Sequence, residues 1–277
     1  MVKILIPLML GVHFFAGLIV NAQTNKVLKK IPIVAHRGAS KDAPENTLPA
    51  FKQAWLQGAD AIEGDFHLTR DGEIVCVHDA NIRHYTQKNL DVKNLTLAEL
   101  KQLDFGHWYD KQFAGTRIPT FKEVIATIPK QKRIFIEIKS DARLVPGLID
   151  QIRASSLELR QIVIISFQQD VIKAVEKQFP ELKTFWLTRF KISNEGTLQP
   201  PPSSVLRTLK KLGTDGLSTH HDNLSGELVK SFQKAGYEYH VWTVDEIPRA
   251  KELIEMGVQS ITTNAPKKMR DGIYGAP

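Results

Sequence analysis

Residues Gly58–Asp79 read GADAIEGDFHLTRDGEIVCVHD. The apolar and β-branched runs Ala61–His67 and Ile74–His78 flank Asp71-Gly72, a turn dipeptide that joins paired strands, so the stretch predicts a hairpin. Along its first strand Glu63 and Asp65 are two residues apart and point the same way, while Ile62 and Phe66 pack on the other side. Two carboxylates pressed together inside a fold repel unless a cation sits between them, and a divalent metal is the obvious one.

Working outward, further strands are predicted at Ile31–Ala35, Arg133–Ile138, Ile162–Phe167, Thr184–Leu187, Gly216–Thr219, Glu238–Val244 and Ser260–Thr263. Helical periodicity falls between most of them, at Leu48–Gln57, Phe121–Ile128, Leu144–Ala154, Asp170–Gln178, Ser204–Leu212, Ser225–Ala235 and Ile247–Met256. Such alternation means βαβ units and a parallel sheet, and about eight units in ~250 residues have the size of a closed (β/α)8 TIM barrel of the α/β class. The hairpin is then an excursion at the second barrel strand. Asn81–Pro119 exceeds an ordinary βα loop and reads as a small insertion, with a short helix at Leu97–Leu103 capped by Thr96. Ile192–Pro202 is a second irregular loop, and long loops on a barrel belong to its binding face. Nothing divides the chain, and one domain is expected over residues 31–270.

In a barrel the carboxyl ends of the strands face the active site. His36 and Arg37 end the first strand. Ile136-Glu137-Ile138-Lys139 places a carboxylate and an ammonium on the face opposite two isoleucines. With Glu63 and Asp65, Glu137 completes an oxygen-only set suited to Mg2+ or Ca2+ and poorly suited to zinc. His78 brings a second imidazole to the same rim, with Asp79 behind it either orienting the ring or capping the loop. Two histidines, an oxygen-ligated cation and the fixed charges of Arg37 and Lys139 fit displacement at phosphorus, in which one imidazole takes a proton and the other returns one. Each residue alone has an ordinary explanation: a structural histidine, a solvated Glu-x-Asp edge, an internal Glu137–Lys139 pair. Their convergence on one face does not. Behind them, Asn46 is expected to cap the helix through Phe51 and Trp55, and Glu45 either caps with it or backs the metal or a histidine.

The first residues, MVKILIPLMLGVHFFAGLIVNAQ, set one lysine before an apolar run ending in Val20-Asn21-Ala22, the pattern of an export signal cleaved after Ala22. An uncleaved anchor is the competing reading, since the run approaches the ~17 residues that span a bilayer. Either way a periplasmic or secreted protein is expected, touching membrane only through that segment. The lone cysteine, Cys76, forms no intramolecular disulfide and reads as a buried strand residue. The net charge of +7 favours anionic ligands, yet the basic residues are scattered without the dense runs of nucleic-acid binders. No nucleic acid and no obligate protein partner are expected.

The blocks AHRGASKDAPENTLPAF, GADAIEGDFHLTRDGEIVCVHD, RIPTFKEV, IFIEIK, Ser166-Phe167 and VWTVDE resemble the glycerophosphodiester phosphodiesterases. The resemblance runs from Ile31 to about Met269, and its specific part is the spacing of His36, Glu63, Asp65 and His78. It implies a TIM barrel with an insertion after the second strand, and hydrolysis of glycerophosphodiesters such as glycerophosphocholine to glycerol 3-phosphate and an alcohol. It implies further that Glu63, Asp65 and Glu137 bind a divalent metal, that His36 and His78 are acid and base, that Arg37 and Lys139 hold the phosphate, and that Trp242 walls the pocket. Which histidine acts first stays open, as does the choice between a cyclic phosphate and direct attack by water.

This chain departs from the family near the last strand, where Asn264 stands in place of the usual aspartate; an effect on substrate or rim contacts is expected. His220 and His221 match no family element. Competing readings are the same chemistry on lysophospholipids or glycerophosphate polymers, and a non-catalytic phosphodiester-binding barrel.

Overall fold

The computed structural model describes residues 28–276. The apolar segment read as an export signal lies outside the described residues, and no helix among them is long and apolar enough to cross a membrane. In chain order the strands are β1 (Ile33–Ala35), β2 (Ala61–Leu68), β3 (Ile74–Cys76), β4 (Arg133–Ile138), β5 (Ile162–Ser166), β6 (Lys183–Thr188), β7 (Lys191–Ile192), β8 (Leu198–Gln199), β9 (Gly216–His220), β10 (Glu238–Trp242) and β11 (Ile261–Thr263). Eight of them pair in parallel, in the order β1-β11-β10-β9-β6-β5-β4-β2, and β2 closes back on β1. The expected TIM barrel is therefore the fold.

Strand alternation divides the core. From β2 and β4, Ile62, Phe66, Ile134, Ile136 and Ile138 point outward under the helices Leu48–Leu56 and Leu144–Arg153, with Phe51, Val145 and Leu148. Val34, Ala61, Phe135, Val163, Ile165, Phe185 and Leu187 fill the barrel interior. The residues that alternate with these outward-facing positions, Glu63, Asp65 and Glu137, are thereby aimed inward above an apolar floor. His240 is buried in the same interior, stacked on Phe185 at 4.2 Å and hydrogen-bonded to Ser260 Oγ, a structural role.

β3 turns back antiparallel on β2, pairing Phe66 with Cys76 and Leu68 with Ile74, as the Asp71-Gly72 turn predicts. It stops at Cys76, two residues before His78, which lies in the following loop. The insertion holds its own cluster, with Ile82, Tyr85, Val92, Leu100, Phe105 and Ile118 packed on Val75 and Val77. Its helix is shorter than predicted, Leu97–Leu100, and opens with the Thr96–Glu99 capping box. The loop after β6 contains the small β7–β8 hairpin.

Two expectations are corrected. The cap of helix Leu48–Leu56 is Thr47, whose hydroxyl accepts from Ala50 N, because the Asn46 side chain is drawn to the barrel instead. The helix Pro266–Tyr274 after β11 was not anticipated: it buries only Pro266, Met269 and Ile273, too weak a stripe to register.

The chain leaves β1 through two left-handed residues, Arg37 (φ 56°) and Gly38 (φ 82°). A Cβ at Gly38 would lie 2.6 Å from the carbonyl carbon of Ala50, so both space and backbone demand glycine. Gly38→Ala is expected to cost about 1–3 kcal/mol, lowering the melting temperature by at least about 2 °C. A thermal melt followed by circular dichroism within 1 °C of wild type, on the order of the precision of the comparison, would contradict this reading of the turn.

Candidate active site

The barrel mouth at the carboxyl ends of the strands holds a cavity of about 220 Å³. His36, Arg37, Glu63, His78, Glu137, Lys139 and Trp242 all line it, over an apolar floor of Phe135, Ile165 and Leu187. The residues predicted from strand ends thus converge, and Asp65 sits just beneath, 1% exposed.

The left-handed turn at Arg37 lets one residue serve three carboxylates. Its backbone N–H donates to Glu63 Oε2 (2.8 Å), its Nη1 to both oxygens of Glu45 (2.9 and 3.0 Å), and its Nε lies 3.3 Å from Asp65 Oδ2. Burial works against its charge, but Asp65, Glu45 and Glu63 outweigh it and hold the guanidinium protonated. Glu45 also accepts from the Tyr85 hydroxyl at 2.9 Å, which fastens the insertion to the site. Asn46, itself left-handed (φ 56°), donates from Nδ2 to Asp65 Oδ2 (2.8 Å) and accepts from Asp65 N (3.1 Å) and Cys76 Sγ (3.1 Å). Glu45 and Asn46 thus stand behind the acidic cluster, Glu45 through Arg37 and Asn46 through Asp65.

Glu63, Asp65 and Glu137 each bring an oxygen within 4.8 Å of the others. Burial, then the charges of Asp65 and Glu137, push Glu63 well above the usual carboxylate range. Glu137 is raised to about 7 by burial and by Asp65, against the pull of Lys139 Nζ at 3.0 Å. Asp65 is buried too, but Arg37, Lys139 and the Asn46 amide hold it below its ordinary value. One oxygen in this cluster, Glu63 Oε1, is buried without a hydrogen-bond partner among the described residues. A buried carboxylate oxygen without a partner, facing two other carboxylates, fits the coordination of a divalent cation, and the all-oxygen set suits a hard ion.

His36 Nδ1 lies 2.7 Å from Asn264 Oδ1. Burial and the neighbouring Arg37 lower its pKa to about 4, so this ring is neutral at physiological pH. His78 Nδ1 faces Asp79 Oδ1 at 2.7 Å, the orienting contact that was one of two readings for Asp79. The backbone carbonyl of His78 is 3.0 Å from Nε2 of His67, a buried ring that was not singled out in the sequence. Trp242 has its indole N–H buried without a partner among the described residues, and the exposed Phe167 meets its ring edge-on at 5.7 Å. Asn264, expected near the substrate or rim, is found behind His36. His220 packs on Trp242 at 5.2 Å and pairs with Asp222, but it does not line the cavity.

An acidic cluster, two histidines and two fixed cations at one mouth of a TIM barrel define a phosphodiester hydrolase. The chain matches the glycerophosphoryl diester phosphodiesterase family over residues 36–268 and belongs to it. A glycerophosphodiester phosphodiesterase of Caldanaerobacter subterraneus subsp. tengcongensis is 37% identical over 245 residues, 87% of this chain and 96% of the relative. One of Bacillus subtilis is 30% identical over 254 residues, 86% of this chain and 84% of the relative. Among solved structures, an Oleispira antarctica phosphodiesterase in complex with the product sn-glycerol-3-phosphate superposes with a TM-score of 0.78 at 25% identity, covering 89% of this chain and 97% of that one.

The raised Glu137 carries a stability consequence. Its folded value of about 7 exceeds its ordinary 4.5, so the folded metal-free chain binds this proton more tightly than the unfolded chain does. The resulting stability is full below about pH 4.5 and is lost as pH rises through about 7. In EDTA, the melting temperature of wild type relative to Glu137→Gln is expected to fall from about pH 5 to about pH 8; a difference independent of pH would contradict it.

Proposed function

We propose that the chain hydrolyses small glycerophosphodiesters, deacylated phospholipids such as glycerophosphocholine, to sn-glycerol 3-phosphate and an alcohol, using a divalent cation, Mg2+ or Ca2+, held by Glu63, Asp65 and Glu137. The observation that carries this is the unpartnered Glu63 Oε1 inside a three-carboxylate cluster, in the same cavity as His36 and His78. When bound, the cation supplies Lewis-acid stabilisation of a phosphoryl oxygen. Lys139, between Glu137 and Asp65 at 3.0 and 3.7 Å, gives the phosphate a fixed positive charge. Arg37 lines the cavity as well, and its contacts to Glu45 and Asp65 keep that charge in place.

His36 and His78 are the proton-transfer pair. Phe135, Ile165, Leu187 and Trp242 pack against the carbon skeleton of the substrate and exclude water from the reacting centre. A cavity of about 220 Å³ suits a deacylated head-group diester. The exposed Phe167 beside Trp242 supports a second reading, in which the acyl chain of a lysophospholipid lies across this lip. Export, resting on residues 1–22, completes the proposal as a scavenging role outside the cytoplasm.

The test is release of glycerol 3-phosphate from glycerophosphocholine, and in parallel from lysophosphatidylcholine, with Mg2+, with Ca2+ and with EDTA. We expect metal-dependent release that falls by about 10²–10⁴-fold in His36→Ala and is lost in Glu63→Ala. Release from the lysolipid alone would favour the second reading, and release undiminished by EDTA would sink the metal assignment.

A further inference from the structure

The two histidines are held differently, and the difference assigns their parts in the reaction proposed above. Behind His36 stands a relay of two residues from the far end of the chain. Asp245 is a carboxylate, held below its ordinary value despite burial by three donors: Thr263 Oγ1 (2.8 Å) and Asn264 N (2.8 Å) on Oδ1, and Asn264 Nδ2 (2.6 Å) on Oδ2. An ionised carboxylate only accepts, so it fixes which end of the Asn264 amide faces it. The NH2 group must point at Asp245, and the carbonyl Oδ1 must point the other way. Ser40 Oγ lies 2.9 Å from Oδ1 and 2.8 Å from His36 O and has one proton for these two acceptors, so the orientation rests on Asp245. Turning the amide over would set its oxygen against the Asp245 carboxylate, 2.6 Å away, with no proton between them.

With Oδ1 fixed as an acceptor 2.7 Å from His36 Nδ1, the ring must carry its proton on Nδ1. Nε2 then bears the lone pair, and it has no hydrogen-bond partner among the described residues although His36 lines the cavity. The other ring, His78, instead has a carboxylate, Asp79, on its Nδ1.

We propose that Asn264, oriented by Asp245, is a positioning residue that fixes the Nδ1–H tautomer of His36, making His36 the general base and leaving His78 the general acid. His36 Nε2 takes the proton of the attacking hydroxyl as its oxygen forms the bond to phosphorus. The bond from phosphorus to the leaving alcohol breaks, and that oxygen takes a proton from His78 Nε2. The amide suits this task better than the aspartate expected at 264 from the family resemblance. A carboxylate there would face Asp245 across the 2.6 Å now spanned by a hydrogen bond, and it would favour a proton retained on the ring.

The tautomer is read directly by nitrogen NMR of the full chain labelled with ring-15N histidine, with His36 assigned from its missing signals in His36→Gln. We expect wild-type His36 as the neutral Nδ1–H form, and loss of that form in Asn264→Leu. In the same variant kcat should fall roughly 10- to 100-fold with KM little changed, the size typical of losing a partner that orients a functional histidine. A wild-type His36 protonated on Nε2, or Asn264→Leu with unchanged kcat, would overturn the proposal. Because the tautomer is observed without turnover, a protein that released no glycerol 3-phosphate would count against the reaction and not against the relay.

Discussion

Three carboxylates that cannot all be comfortable in one place organise this molecule. Glu63, Asp65 and Glu137 meet where water is scarce, and the charges that relieve them, Arg37 and Lys139, are half-buried beside them. Mutual repulsion in such a setting is strong, and it raises the pKa of whichever group has the weakest compensation. Here Asp65 takes most of the compensation, from Arg37, Lys139 and Asn46, while Glu63 and Glu137 are left pushed upward. The cluster therefore carries a local electrostatic cost that a cation held by these three carboxylates would relieve.

Much of the surrounding architecture serves that balance. The left-handed turn at Arg37 aims its backbone N–H at Glu63 while the side chain reaches Asp65 and Glu45, which is why strand β1 is followed by His-Arg and then by a glycine where a side chain would be strained. The Pro-Glu-Asn segment that follows supplies Glu45 to Arg37 and Asn46 to Asp65 before Thr47 opens the helix. The insertion is drawn in by Tyr85 on Glu45, and β3 by Cys76 on Asn46. Elements that look peripheral in the topology are thus tied to the charged centre by single hydrogen bonds.

What the sequence made legible was whatever obeyed a period. The barrel followed from alternating strands and helices, and Glu63, Asp65, Glu137 and Lys139 followed from the two-residue repeat that separates them from their outward isoleucines. Residues whose roles depend on distant partners were opaque. Asn264 reaches His36 from 228 positions away, and Tyr85 reaches Glu45 from 40; Asn264 was marked only by its departure from the resembling family, with no sign of its partner, and Tyr85 by nothing. Asn46 and Thr47 are both good helix caps, so local propensity could not choose between them, and the demand of Asp65 for an amide did. The final helix was missed because Gly272 and a thin apolar stripe weaken its signal.

The central claim is that the acidic cluster is a cation site in which Glu63 and Glu137, unlike Asp65, bind protons more readily than free carboxylates do until the ion arrives. Calorimetric titration of the EDTA-treated protein with Mg2+ and with Ca2+, at about pH 6.5 in two buffers of different ionisation enthalpy, tests it most directly. The account predicts one cation per chain, for at least one of the two metals, with a buffer-dependent heat that reports proton release. Absence of binding by either metal, or binding undiminished in Glu63→Gln, would contradict it.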